Sequence, residues 1–225
     1  MSFKIKKYLI IKKVITRDMA HFIYDYFMLK RKVCRKFFDD RYISPFEKGW
    51  GWWDDPQAPN TYSHYADLVM ETLLEKVRPR MEKETKLKLI PTYSYARIYK
   101  KGDVLERHKD RFSCAISTTM CLGGDPWDIY LEPNKNVGKR PDGPYVPSTN
   151  KGIKINLKPG DMLIYSGCIH EHWREAFQGN NCAQVFLHYN QINSPEAVEN
   201  RFDGRPFLGL PAWFQKHARL LSPKK

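Results

Sequence analysis

Arg107-His108-Lys109-Asp110 sets an imidazole and a carboxylate two residues apart, and some sixty residues later Ile169-His170-Glu171-His172 supplies two further imidazoles. In an extended segment, side chains two apart share a face, so His108 and Asp110 can address one point. A third donor from His170 or His172 would complete two nitrogens and one oxygen around a metal. Such a set suits ferrous iron and leaves three octahedral positions open. The same donors with one open position also bind Zn2+, as in a metal-dependent hydrolase. His170 and His172 have the same parity, so spacing alone leaves the choice between them open.

These residues need rigid elements to bring them together, and the pattern changes along the chain in a way that supplies them. Residues 3–11 read as a short strand with lysines on one side. Thr16 followed by Asp18 marks a helix start, and Met19, Phe22, Ile23, Tyr26 and Phe27 then recur with the period of one buried helical stripe. Residues 49–62 are rich in Gly, Pro and Trp and read as an ordered aromatic loop. A second helix is expected from Ser63 to Arg78, with Pro79 kinking or ending it. After Pro91 the period becomes two. Strand candidates follow at 92–99, 114–122, 127–132, 153–157, 161–166, 172–177 and 182–189, separated by turn signals such as LGGDP, KPGD and QGNN. Residues 133–152 read as a surface loop. Helices first and many short strands after predict an α+β chain with a sandwich or barrel core.

Three motifs in order carry a resemblance. Tyr99-x-x-Gly102 precedes His108-x-Asp110, Gly160-Asp161 opens an apolar strand before His170 and His172, and an aromatic-apolar strand from Gln184 to Tyr189 follows. Over residues 92–190 the chain resembles the 2-oxoglutarate/Fe(II)-dependent dioxygenases, in the branch similar to prolyl 4-hydroxylases. The resemblance implies a double-stranded β-helix (jelly roll) at 91–190, helical support with a short N-terminal strand at 1–90, and a C-terminal extension at 191–225, all in one domain. It implies Fe(II), 2-oxoglutarate and dioxygen as cofactor and co-substrates. The reaction implied is hydroxylation of an unactivated C–H with release of succinate and CO2.

The resemblance also selects ligands. In that family the distal histidine is followed four and five residues on by a small or apolar pair before a Gly-containing turn; Ala176, Phe177 and Gly179 match this from His172. The implied ligands are therefore His108, Asp110 and His172, with His170 near them. Family members often carry an Arg or Lys nine to eleven residues past the distal histidine to hold the far carboxylate of 2-oxoglutarate. Here those positions are Asn181, Cys182 and Ala183. A carboxylate without a cation would be costly to bury. Arg174, two residues past His172, is the first candidate to replace it, its planar fork suiting bidentate pairing; Arg97 and Arg111 are reserves. Tyr99 matches a tyrosine that hydrogen-bonds 2-oxoglutarate in relatives, and Gln184 is a further candidate for the pocket.

Composition bounds the remaining readings. The 225 residues are 42% hydrophobic and 14% aromatic, which argues against disorder. No stretch is long and apolar enough to span a bilayer, and the N-terminal apolar run is too short for a signal peptide, so the expectation is a cytoplasmic protein with no membrane partner. Five cysteines without a CxxC pair fit reduced thiols. The net charge is +13, and residues 1–48 carry 13 Lys and Arg against 5 acidic residues. That excess admits a nucleic-acid partner, and a basic binding module without catalysis is one rival reading; a zinc hydrolase and a cupin-like protein are others. For the oxygenase, a prolyl residue in a peptide is the first substrate implied. Free amino acids, other protein side chains and nucleobases come next. The loop at Trp50–Trp53 reads as packing or as a substrate wall, and the tail from Ser194 as an ordered cap or a dimer contact.

Overall fold

The computed structural model describes residues 2–138 and 145–215. The chain runs α1 (Phe3–Lys6), β1 (Tyr8–Ile11), α2 (Arg17–Asp39), β2 (Tyr62–Tyr65), α3 (Leu68–Thr85) and β3 (Leu89–Lys100). Then follow β4 (Leu105–His108), β5 (Ile116–Gly124), β6 (Ile129–Leu131), β7 (Ile153–Ile155), β8 (Met162–Tyr165), β9 (His172–Arg174) and β10 (Asn181–Gln191). They form two antiparallel sheets, one in the order β1-β8-β5-β10-β3-β2 and one in the order β4-β9-β6-β7. The first ninety residues, expected to be mainly helical support, therefore contribute both edge strands of the larger sheet.

Strand alternation decides the layers. Ala96 and Ile98 of β3, Met120 and Leu122 of β5, Met162 and Ile164 of β8, and Ala183, Val185 and Leu187 of β10 pack with Ile23 and Phe27 of α2 and with Leu73, Leu74 and Val77 of α3. The opposite parity turns inward. Cys121, Leu163 and Tyr165 meet Ile129, Leu131 and Ile155 of the smaller sheet. Tyr99, Cys182 and Phe186 meet Trp127 and Phe177. The larger sheet is thus covered on both faces, which is why nearly every residue of its central strands is buried.

Several boundaries differ from the sequence reading, each for a physical reason. Residues 3–6 form a helical turn ended by Lys7 in a left-handed conformation (φ 61°), so the strand begins only at Tyr8. Thr16 caps α2 as expected, its hydroxyl accepting from the Met19 N–H at 3.2 Å. The buried stripe follows Ala20, Ile23, Phe27 and Cys34, and Phe22 is left 71% exposed. The second helix starts at Leu68, because Asp67 accepts from the Val69 and Met70 N–H groups while residues 62–65 pair with β3 instead. Pro79 does not end it: Met81 and Thr85 beyond it are buried, and that packing outweighs one missing backbone bond. β4, made of Leu-Glu-Arg-His, was not among the strand candidates, since a short polar strand leaves little periodicity to read.

The C-terminal segment folds back over β2, α3 and β3. Arg205 and Glu71 form a buried ion pair at 2.8 Å, and Asp203 accepts from Tyr65 at 2.8 Å and Arg111 at 3.0 Å. Residues 139–144 of the expected surface loop and 216–225 of the extension lie outside the described residues. No described helix is long and apolar enough to cross a membrane.

Candidate active site

β4 and β9 pair antiparallel with His108 directly opposite His172. Facing residues in such a pair stand close enough for their side chains to touch, and the two imidazole rings lie 4.2 Å apart between centroids. Asp110 follows β4, its N–H bonded to the Gly167 carbonyl at 3.0 Å. Its Oδ1 lies 3.6 Å from His108 Nε2 and 3.5 Å from His172 Nε2. One donor atom from each of the three side chains lies within 4.8 Å of the others.

The hydrogen bonds around the rings aim these donors. His108 Nδ1 bonds the Glu106 carbonyl at 2.6 Å and His172 Nδ1 bonds the His170 carbonyl at 3.2 Å. A carbonyl only accepts, so each Nδ1 carries the proton and each Nε2 keeps its lone pair toward Asp110. Burial opposes charge on Asp110, yet the adjacent His172 and His108 hold its carboxyl well below the usual range. Burial likewise disfavours a charged His108, but Asp110 more than offsets this and raises its pKa. When the rings give up the proton that the carboxylate favours, two neutral nitrogens and one ionised oxygen face one another, a donor set that fits a divalent first-row metal ion.

Gly167 makes room for this arrangement. A Cβ there would stand 2.2 Å from Asp110 Oδ2 and 2.7 Å from Ser117 Oγ. Ser117 donates to Asp110 Oδ2 at 2.6 Å. His170, the other distal histidine, is turned away: its ring nitrogens meet the Glu132 and Lys6 carbonyls at 2.8 and 3.0 Å. Above the three donors opens a cavity of about 500 Å³.

The expected co-substrate residues divide into two places. Arg174 and Gln184 meet: Arg174 Nη2 lies 3.2 Å from both Gln184 Oε1 and Thr119 Oγ1, and Nη1 donates to the Trp127 carbonyl at 2.5 Å. Arg174 is 1% exposed, its Nε has no acceptor, and its hydrogen bonds go to neutral acceptors, with the Asp128 carboxylate acting on it only through its field. Tyr99 packs edge-on against Trp127 at 4.7 Å, and its hydroxyl lies 3.2 Å from Arg97 Nη1. None of these three is on the cavity wall. Arg97, a reserve in the sequence reading, is on it, ion-paired at 2.5 Å with Asp55 from the aromatic loop. Arg111, the other reserve, also lines it. That loop serves packing as well, Trp53 lying against Tyr62 at 4.9 Å with Arg35 over its ring.

Sequence reasoning missed Tyr165, Ser117 and His188. Tyr165 and His188 line the cavity, and Ser117 stands behind Asp110. Extending the parity of Cys182 and Gln184 along the last strand would have reached His188.

No family model matches the chain, and no curated protein matches it by sequence. Solved structures match its fold. SnoN, a non-haem α-ketoglutarate-dependent epimerase from nogalamycin biosynthesis, gives a TM-score of 0.60 at 10% identity, covering 84% of this chain and 80% of that one. A prolyl-4-hydroxylase from Pseudomonas putida gives 0.51 at 11%, covering 84% and 95%. The fold is that of the 2-oxoglutarate/Fe(II) oxygenases. HygX from Streptomyces hygroscopicus, solved with nickel, 2-oxoglutarate and hygromycin B, gives 0.54 at 14%, covering 85% of each chain. At these identities it is the arrangement of strands that is shared, and the donor set must be judged on this chain's own geometry.

Proposed function

We propose that this chain is an Fe(II)- and 2-oxoglutarate-dependent oxygenase whose two sheets form the jelly roll of that fold. The observation that carries the reading is the facing of His108 Nε2, His172 Nε2 and Asp110 Oδ1 at a cavity in a fold shared with enzymes solved with 2-oxoglutarate. Iron and 2-oxoglutarate together would supply dioxygen activation, with succinate and CO2 as the co-products.

The chain's own residues have separate tasks. Ser117 and Gly167 keep Asp110 oriented, and the carbonyls of Glu106 and His170 keep both histidines in the metal-binding tautomer. Arg174 is assigned to the far carboxylate of 2-oxoglutarate. A buried guanidinium that hydrogen-bonds neutral acceptors only and keeps an orphaned Nε has no anion in contact with it, and a carboxylate is what such a fork takes. Gln184 and Thr119 hold the fork in place. A second reading gives the role to Arg97, because it lines the cavity; against it, Asp55 already neutralises that cation. Hydroxylation of a C–H is the reaction assigned, with a prolyl residue in a peptide the first substrate to assay. The five cysteines are all free thiols, which fits a reducing, cytoplasmic setting.

The test is anaerobic titration with Fe(II) and 2-oxoglutarate, followed by succinate release in air. Wild-type protein is expected to bind both and to release succinate, and His108→Ala and Asp110→Ala to lose iron and turnover. Arg174→Gln should raise the 2-oxoglutarate KM by about 10- to 100-fold, the worth of a charge-assisted hydrogen bond. Binding of Zn2+ alone, with hydrolysis and no succinate, would establish the hydrolase instead.

A further inference from the structure

Behind Asp110 a hydrogen-bond chain runs back to the cavity and ends on an atom without a partner. Ser117 Oγ lies 2.6 Å from Asp110 Oδ2, 2.8 Å from the Cys114 carbonyl and 3.0 Å from His188 Nδ1. A hydroxyl has one proton to give, and a carboxylate that ligates a metal can only accept. The Asp110 contact is the shorter and the charge-assisted one, so the Ser117 proton goes there. What Ser117 then shows to His188 is a lone pair, and Nδ1 must carry a proton to bond it. In a neutral imidazole that leaves Nε2 unprotonated, an acceptor.

The position of that acceptor is well defined. His188 is 6% exposed and lines the cavity with Phe186, two residues before it on the same face of β10. No described residue bonds its Nε2. Tyr93 lies against the ring at 4.6 Å, and its own hydroxyl is engaged by Cys114 Sγ at 3.0 Å, so the ring is held from the side and from behind. Burial also pushes the imidazole down to about 4, which keeps it neutral at pH 7.

Building on the oxygenase reading, we propose that His188 Nε2 is the substrate-recognition acceptor of this cavity, taking a hydrogen bond from a hydroxyl or an N–H amide of the substrate. The substrate class is thus a polar molecule or peptide with a donor beside an aromatic or apolar body, which Tyr93, Tyr95 and Phe186 would contact. A ligand offering only acceptors at that point leaves Nε2 unpaired. Sites built to bond a donor discriminate strongly against analogues lacking it.

The test uses protein labelled with 15N at histidine and loaded with Zn2+ as a diamagnetic substitute for iron, with and without 2-oxoglutarate. The ring 15N shifts of His188 are expected to show a protonated Nδ1 and a bare Nε2; the reverse tautomer would overturn the proposal. Matched probes then read the preference: benzyl alcohol against benzyl methyl ether, and N-methylbenzamide against N,N-dimethylbenzamide. The donor of each pair should bind about 3- to 10-fold more tightly, as one net hydrogen bond allows, and should move the Nε2 resonance. His188→Leu should abolish the preference, and His188→Gln, whose side-chain carbonyl accepts, should retain it. Equal binding of the methylated partners, or a preference that survives His188→Leu, defeats the assignment. Failure of 2-oxoglutarate to bind would instead sink the oxygenase reading, while the tautomer measurement still decides the role of His188.

Discussion

At the scale of single residues, the site depends on Asp110 presenting one oxygen while the other is occupied. Ser117 occupies it, and Gly167 leaves the space in which both fit. Gly167→Ala would place a methyl group where Asp110 Oδ2 and Ser117 Oγ now stand. Partners of ligating side chains typically contribute about 10- to 100-fold to metal affinity, so that variant should weaken Fe(II) or Co(II) binding by this factor in an anaerobic titration. Ser117→Ala removes the bond without the clash and should cost less. Equal loss in the two variants would mean that crowding at residue 167 is not what disturbs Asp110.

At the scale of elements, Asp67 joins more parts of the fold than any cap need do. Its Oδ1 accepts from the first turn of α3, and its Oδ2 accepts from Tyr26 at 2.7 Å and Lys30 at 2.5 Å on α2, with His64 at 3.1 Å. Burial disfavours its charge, but His64 and Lys30 more than offset this and hold the carboxyl far below its ordinary value. The stabilisation is therefore complete above the unfolded-state pKa, about 4, and is lost as pH falls from there toward the folded-state value. Asp67→Ala should cost about 3–5 kcal/mol at pH 7, the usual cost of leaving a buried partner charge alone. The difference from wild type in urea unfolding should shrink from pH 4 to pH 2; a constant difference would show that the charge is not its source.

At the scale of the whole molecule, the C-terminal segment ties the sheet to its helical layer. Arg205 donates to Glu71 on α3 and to the Thr92 carbonyl at 3.2 Å, and Glu71 in turn accepts from the Ser94 and Gly209 N–H groups. Asp203 on the same segment bonds Arg111 at the cavity wall, so the tail also sets one edge of the site. Arg205→Ala leaves Glu71 buried with its guanidinium partner gone. It should lower unfolding free energy by about 3–5 kcal/mol, measured by urea titration. Arg111→Ala should cost less, about 1 kcal/mol, because Arg111 is 58% exposed and the buried Asp203 keeps the Tyr65 hydroxyl and the Gln215 amide as donors.

Residue types and spacing narrowed the donors to His108, Asp110 and one of His170 and His172, and the family resemblance at Ala176, Phe177 and Gly179 favoured His172. The apolar alternation determined which segments would be strands, because one parity had to be buried against helices and the other against a second sheet. Tertiary structure decided what depends on pairing. That His172, already favoured over His170 by the resemblance, stands opposite His108 is a matter of strand register, and register leaves no mark on parity. The short polar strand β4, the opposite environments of Arg97 and Arg174, and the path from Asp110 through Ser117 to His188 all arise from residues far apart in the chain. Local sequence carries no record of those contacts, because the energy that selects them exists only once the two sheets have closed on each other.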